Sequence, residues 1–186
     1  MKKNILVPTI ALFLICLVAT TLLAFANSVT APIIEELAVQ TEMESRKKVL
    51  PEADEFSDKN TNGISYAVGL DKDGKELGMV FTTTAKSYGG EILVMTGIDQ
   101  DGKVTGVELL SINDTAGLGM NATKEDFRSQ FLGLVNGIKV MKNSSNPDNN
   151  EITALTGATI TSQAVADAVN AALADFETVT GKAGAN

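Results

Sequence analysis

Hydrophobic positions along the chain fall into three regimes. The first is unbroken: no residue from Asn4 to Ile34 carries a charge, and residues 5–26 are almost all aliphatic or small. A run of that length spans a bilayer as one helix, which needs about 20 residues, and Pro8 near its start is tolerable in a membrane helix. The second regime is strand-like. Residues 64–70, 77–84, 92–98 and 104–110 are rich in β-branched or aromatic side chains and are bounded by turn residues, which predicts four strands in two hairpins. The third regime is helical: Val165, Ala168, Val169, Ala172, Leu173 and Phe176 follow i, i+3, i+4, i+7 spacing and predict one buried stripe. Between these regimes, Pro32 is placed to open a helix that Pro51 ends, with Glu35 and Glu36 in a first turn that favours acids. A short helix is expected near Thr123, with Phe127, Phe131, Ile138, Val140 and Met141 completing the core. Residues 143–150 read as a polar surface loop.

The fold class predicted is α+β: an N-terminal transmembrane helix, then a single mixed domain with antiparallel hairpins and a C-terminal helix. The expected divisions are an anchor at 1–31, a helical stalk at 32–51, a domain at 52–178 and a flexible tail at 179–186. The stalk reads either as a solvated spacer or as a docking helix for partner subunits.

Charge sharpens this picture. The chain has 186 residues and a formal net charge of −8, yet Lys2 and Lys3 precede the apolar run and every acid follows it. Positive residues stay in the cytoplasm, which places the domain on the extracytoplasmic side of the cell membrane. A cleaved signal peptide is the competing reading, because Ala24-Phe25-Ala26 resembles a cleavage site, but the apolar run exceeds the 7–15 residues usual for a signal. An acidic domain lacks the cationic contacts that nucleic acid requires. The single Cys16 lies inside the apolar run, so disulfides and cysteine-ligated metal centres are excluded within the chain. Asp71-Lys72-Asp73-Gly74 and Asp99-Gln100-Asp101-Gly102 begin like calcium loops, but each has Lys at position five and no Glu at position twelve. They read as Asp-Gly turns between strands, and no metal site is expected.

Candidate chemistry is concentrated in Thr156-Gly157-Ala158-Thr159, followed by Ile160-Thr161-Ser162 and the third-regime helix. Gly157 and Ala158 leave backbone uncovered beside a cluster of hydroxyls, and Gly157 accepts positive φ. Free N–H groups and the dipole at a helix start favour phosphate. The plainer reading makes Thr161 or Ser162 a cap of the first turn. With no His anywhere and no nucleophile–base pairing or Walker loop, no catalytic residue is assigned.

The tetrad resembles the Ser/Thr-Gly-Ala-Thr signature of the FMN-binding domain family. Two further stretches resemble the same family: Tyr88-Gly89-Gly90 ahead of 97–107, and Asp114-Thr115-Ala116-Gly117-Leu118-Gly119 ahead of Phe127-Arg128-Ser129-Gln130-Phe131. In order and spacing they are similar to the G subunits of Rnf-type ferredoxin:NAD oxidoreductases over about residues 1–178. The related C subunits of Na⁺-translocating NADH:quinone oxidoreductases are the alternative within the family, and a flavin-free membrane-anchored binding domain is the alternative outside it. The resemblance implies FMN held by a phosphoester to Thr159, installed by a separate flavin transferase, in a redox protein that works with other membrane and peripheral subunits of an ion-translocating complex. It also implies Thr156 and Thr161 as phosphate partners beside Gly157 and Ala158, and Tyr88, Leu118 and Met120 as the apolar surround. Two departures stand out. Thr153 occupies a position where the family tends to have Asp, and Asn113-Asp114-Thr115-Ala116 replaces His-Glu-Thr-Pro.

Overall fold

The computed structural model describes residues 2–143 and 145–181. The chain divides into two compact units, Met1–Met43 and Glu44–Asn186. Helix α1 (Lys2–Val49) supplies the described residues of the first unit and opens the second. Its segment Pro8–Ala31 has a mean hydropathy of 2.5, is long and apolar enough to cross a membrane, and is not buried within the protein. No separate helix begins at Pro32, because α1 passes through that position. A proline forfeits one backbone donor, while breaking the helix would forfeit a whole turn and require a new nucleus. The expected stalk is likewise divided: its residues from Glu44 onward belong to the second unit, where Val49 and Leu50 are buried.

Strands β1 (Glu55–Thr61), β2 (Ile64–Leu70), β3 (Glu76–Lys86), β4 (Glu91–Asp99) and β5 (Val104–Ser111) form one antiparallel sheet in chain order. The four strands expected from their β-branched and aromatic content are β2 to β5. The fifth, β1, escapes pattern reading because Glu-Phe-Ser-Asp-Lys-Asn-Thr has one apolar residue. It is an edge strand that pairs with β2 alone, and its exposed charges suit an edge. The Asp-Gly turns are structural: Asp71 Oδ1 accepts the N–H groups of Asp73 and Lys75 at 2.8 and 2.9 Å, and Asp99 Oδ1 accepts those of Asp101 and Lys103, both at 2.9 Å.

Alternation along the strands divides the apolar residues between two faces. Tyr66, Val68, Phe81, Ile92, Val94 and Ile98 meet helix α3 (Thr159–Thr180), whose Val165, Ala168, Val169, Ala172, Leu173 and Phe176 are all buried, as their spacing predicts. Ala67, Val80 and Met95 face the other way and pack with Val49, Leu50 and Ala53. Coverage of both faces explains why β4 is apolar nearly throughout.

Thr96, fully buried on β4, has a hydroxyl with no hydrogen-bond partner among the described residues. Leaving such a group unpaired costs about 1 kcal/mol or more, and Val has nearly the same shape. Thr96→Val is therefore expected to raise the thermal midpoint by a few degrees; a lowered midpoint would mean that the hydroxyl has a partner in solution.

After the sheet, a 3-10 turn (Gly119–Thr123) leads into α2 (Glu125–Arg128), followed by the parallel pair β6 (Lys139–Met141) and β7 (Glu151–Thr153). Phe127, Phe131 and Ile138 are buried as expected. Val140 only packs against the core margin and Met141 is 38% exposed, a correction to the core assignment that follows from their place on a two-stranded ribbon. Asn150 and Asn170 fix residues 135–138 by side-chain bonds to backbone N–H and C=O groups. Helix α3 continues to Thr180, where Gly181 at φ 67 donates to Glu177 O at 2.9 Å and stops it. Residues 182–186 of the expected tail lie outside the described residues.

Candidate functional site

Strand β7 delivers the chain to the tetrad. Gln130 braces it by accepting the Thr153 N–H at 2.8 Å, and the Thr153 hydroxyl bonds Ser145 Oγ at 2.8 Å. Gly157 then turns the chain with φ 75, a conformation that favours glycine, and a Cβ there would approach Leu118 Cδ2 to 3.2 Å. Ala158 is the N-cap of α3 and offers no side-chain bond, so Thr159 is the first helical residue of an uncapped start. Its side chain is exposed and its hydroxyl has no hydrogen-bond partner among the described residues.

The structure corrects the capping expectation. Ser162 Oγ donates to Ala158 O at 3.0 Å and accepts the Leu155 N–H at 2.9 Å, which ties the tetrad to the helix instead of satisfying its first N–H groups. Thr161, only 2% exposed, donates its hydroxyl to Asp114 Oδ2 at 2.5 Å. That hydroxyl is engaged, so Thr161 does not serve as a phosphate donor in this arrangement. Thr156, the first residue of the tetrad, is exposed and does not line the cavity described next.

In front of Thr159 lies a cavity of about 490 Å³, within the size range of small-molecule sites. Three segments wall it: Tyr88 from the β3–β4 connection; Asp114, Thr115, Leu118 and Gly119 from the segment after β5; and residues 157–161 from the start of α3. Tyr88, Leu118 and Ile160 present apolar surface to it while being 72%, 44% and 58% exposed. The structure thus brings together Tyr88, Leu118, Gly157, Ala158, Thr159 and Thr161 from the expected site. Met120 is not among the lining residues: the turn that begins at Gly119 carries it past the cavity, its N–H bonding Thr115 O.

Asp114 is the site residue to which sequence reasoning gave no role. It is 7% exposed and accepts from Ser87 Oγ at 2.5 Å, Gly89 N–H at 2.6 Å and Thr161 Oγ1. Burial pushes its carboxyl up, but the bonds from Ser87, Thr161 and Gly89 outweigh this and hold it below the ordinary carboxylate range. The available signal was an acid inside a loop of otherwise small residues, at the position where the family pattern also has an acid.

The donor set suits a phosphorylated aromatic cofactor. An uncapped helix start favours the phosphate, an open hydroxyl stands at its first residue, and exposed apolar side chains flank the adjoining space.

Comparison with known proteins agrees with this chemistry. The model of the FMN-binding domain matches residues 87–174, from the Ser87 of the Asp114 cluster to the body of α3. The G subunit of the Na(+)-translocating ferredoxin:NAD(+) oxidoreductase complex of Acetobacterium woodii is 38% identical over 184 residues, covering 89% of this chain and 88% of that protein. Its counterpart in the proton-translocating complex of Clostridium ljungdahlii is 34% identical, with 97% and 96% covered. Among solved structures, the C subunit of the Na(+)-translocating NADH-quinone reductase from Parabacteroides distasonis aligns with a TM-score of 0.51 at 21% identity, over 60% of this chain and 61% of that one, a likeness of fold.

Proposed function

We propose that this chain, which belongs to the family of G subunits of ion-translocating ferredoxin:NAD(+) oxidoreductase complexes, carries FMN as a phosphoester on Thr159 and serves as an electron relay within such a complex. The observation that carries the attachment is the free, exposed Thr159 hydroxyl at an uncapped helix start facing the apolar cavity. When bound, FMN supplies redox chemistry that no side chain of this protein provides. The chain's own residues hold and orient it. Backbone N–H groups at the start of α3 favour the residual phosphate charge, Gly157 and Ala158 let the phosphate reach Thr159, and Leu118, Ile160 and Tyr88 form an apolar bed. In the esterification, Thr159 Oγ1 would form the new phosphorus–oxygen bond as it loses its proton and an activated flavin phosphate donor loses its leaving group, so the chain would gain the mass of one FMN less one water. A flavin transferase performs it, and Thr153 does not prevent it, because its hydroxyl is occupied by Ser145 within the β7 brace.

Coexpression of the full chain with a flavin transferase tests the reading. The expected product is a fluorescent band that survives denaturation, with an intact mass greater by one FMN less one water. A protein of unmodified mass would refute covalent attachment and favour the flavin-free binding domain. Near-complete alignment with the G subunits favours that assignment over the C type, to which the likeness is one of fold.

The membrane is the second element of the proposal. Pro8–Ala31 is retained as a single-pass anchor, and Lys2 and Lys3 orient it with the domain outside the cytoplasm. Protease added to intact spheroplasts is expected to digest the domain. Digestion only after lysis would reverse the topology, and a mature N-terminus at Asn27 would show that the segment is cleaved.

A further inference from the structure

The cavity walls come from three stretches far apart in sequence, and one side chain joins them. Ser87 and Gly89 lie 27 and 25 residues before Asp114, and Thr161 lies 47 residues after it. Among the described residues, every side-chain or backbone hydrogen bond linking segments 87–90, 114–119 and 156–162 to one another ends on the Asp114 carboxylate. The packing around it is equally close: a Cβ on Gly119 would fall 2.5 Å from Asp114 Cβ and 2.7 Å from Thr161 Oγ1. Asp114 also lines the cavity itself, next to the positive end of α3.

We propose that Asp114 is the positioning residue of this site: by binding Ser87, Gly89 and Thr161 together, its carboxylate holds the three walls in register, presents Thr159 for esterification and fixes Tyr88 and Leu118 against the flavin. The proposal rests on the covalent-FMN reading above and adds to it a residue that never touches the ester. Two physical consequences follow. A carboxylate accepts from all three donors without any of them turning, whereas an amide offers one oxygen and two N–H groups, so two hydroxyls must reorient or lose their bonds. The carboxylate's negative charge in the cavity also opposes the negative charge that reduction adds to the bound group, which keeps its reduction potential low.

The test uses the full-length chain with Asp114→Asn and Asp114→Ala, coexpressed with the transferase. Initial labelling rates are followed by intact mass, and the midpoint potential of the labelled protein by spectroelectrochemical titration. Labelling is expected to slow by about tenfold or more in Asp114→Ala and by less in Asp114→Asn, since misplaced reacting groups cost rate steeply. The labelled Asp114→Asn protein is expected to titrate at a higher potential than wild type. If Asp114→Ala does not fold, Asp114→Asn, verified by circular dichroism, carries the test alone. Asp114→Asn labelled at the wild-type rate would overturn the proposal, as would slower labelling with an unmoved potential, which would trace the defect to stability. Wild-type chain that takes up no label would instead refute the covalent-FMN reading.

Discussion

Thr159→Ala is expected to abolish covalent flavin while leaving the domain folded. The hydroxyl is exposed and makes no hydrogen bond among the described residues, so its removal orphans no donor or acceptor. Nor does it remove a cap, because the N-cap of α3 is Ala158. The loss of about 1 kcal/mol that a capping threonine would entail should not appear, and alanine has the highest intrinsic helix propensity. The thermal midpoint should stay within a few degrees of wild type. Labelling, by contrast, should fall to nothing in both denatured-gel fluorescence and intact mass. Thr156→Ala, at an exposed hydroxyl outside the helix, should retain the adduct, and peptide mapping of wild type should place it on Thr159. An adduct persisting in Thr159→Ala would refute the acceptor assignment. Wild-type electron transfer from a complex assembled with the flavin-free variant would refute the relay.

The largest effect on stability is expected at the opposite face of the sheet. Gly97 on β4 and Gly106 on β5 are register partners, and together they form a notch against the last turn of α1. A Cβ on Gly97 would fall 2.2 Å from Val49 O, and one on Gly106 would fall 2.6 Å from Val49 Cα. Thr105 Oγ1 donates to the same Val49 oxygen at 2.6 Å, which fixes the helix end in the notch. The obstacle is main chain, which has no rotamer by which to yield. Gly97→Ala must push α1 outward, and Val49 and Leu50 then lose burial against Ala67, Val80 and Met95. Overpacking costs about 1–3 kcal/mol where side chains can adjust, and the upper end is expected here. At about 2–4 °C per kcal/mol for a domain of this size, the thermal midpoint of the full chain in detergent should drop by roughly 6–12 °C. An unchanged midpoint would show that the helix end does not rest on the sheet in solution.

These two sites differ in how far the sequence disclosed them. Thr159 was legible because its signal is local: small residues, hydroxyls and a helical stripe occur within about 20 positions of one another. The Gly97 notch was not, since two glycines in apolar strands look the same whether they face a helix or open space. Strands β2 to β5 were legible from runs of β-branched and aromatic residues between turn signals, whereas β1 is polar and β6 and β7 are too short to stand out. Met120 entered the expected site through the family resemblance, but the 3-10 turn at 119–123 leaves it outside the cavity that Leu118 lines.

The sequence alone determined the elements whose apolar residues run together or recur at a fixed spacing, because affinity for water is a property of each residue: the unbroken membrane-length helix, four strands and the stripe of α3. It also singled out Thr159, the proposed acceptor, through a tetrad of neighbouring residues that resembles the family signature. Tertiary structure decided which polar groups meet. Thr161 reads as a cap or a phosphate donor in sequence, yet its hydroxyl is bound to a carboxylate 47 residues away. Asp114 stands in a recognisable acid-and-glycine stretch, but nothing along the chain names its partners, and its importance arises because folding brings Ser87, Gly89 and Thr161 within 2.6 Å of it. Hydrophobic burial depends on each residue's own affinity for water and repeats with the backbone period. A hydrogen bond depends on the partner and its geometry, and only the folded chain specifies both.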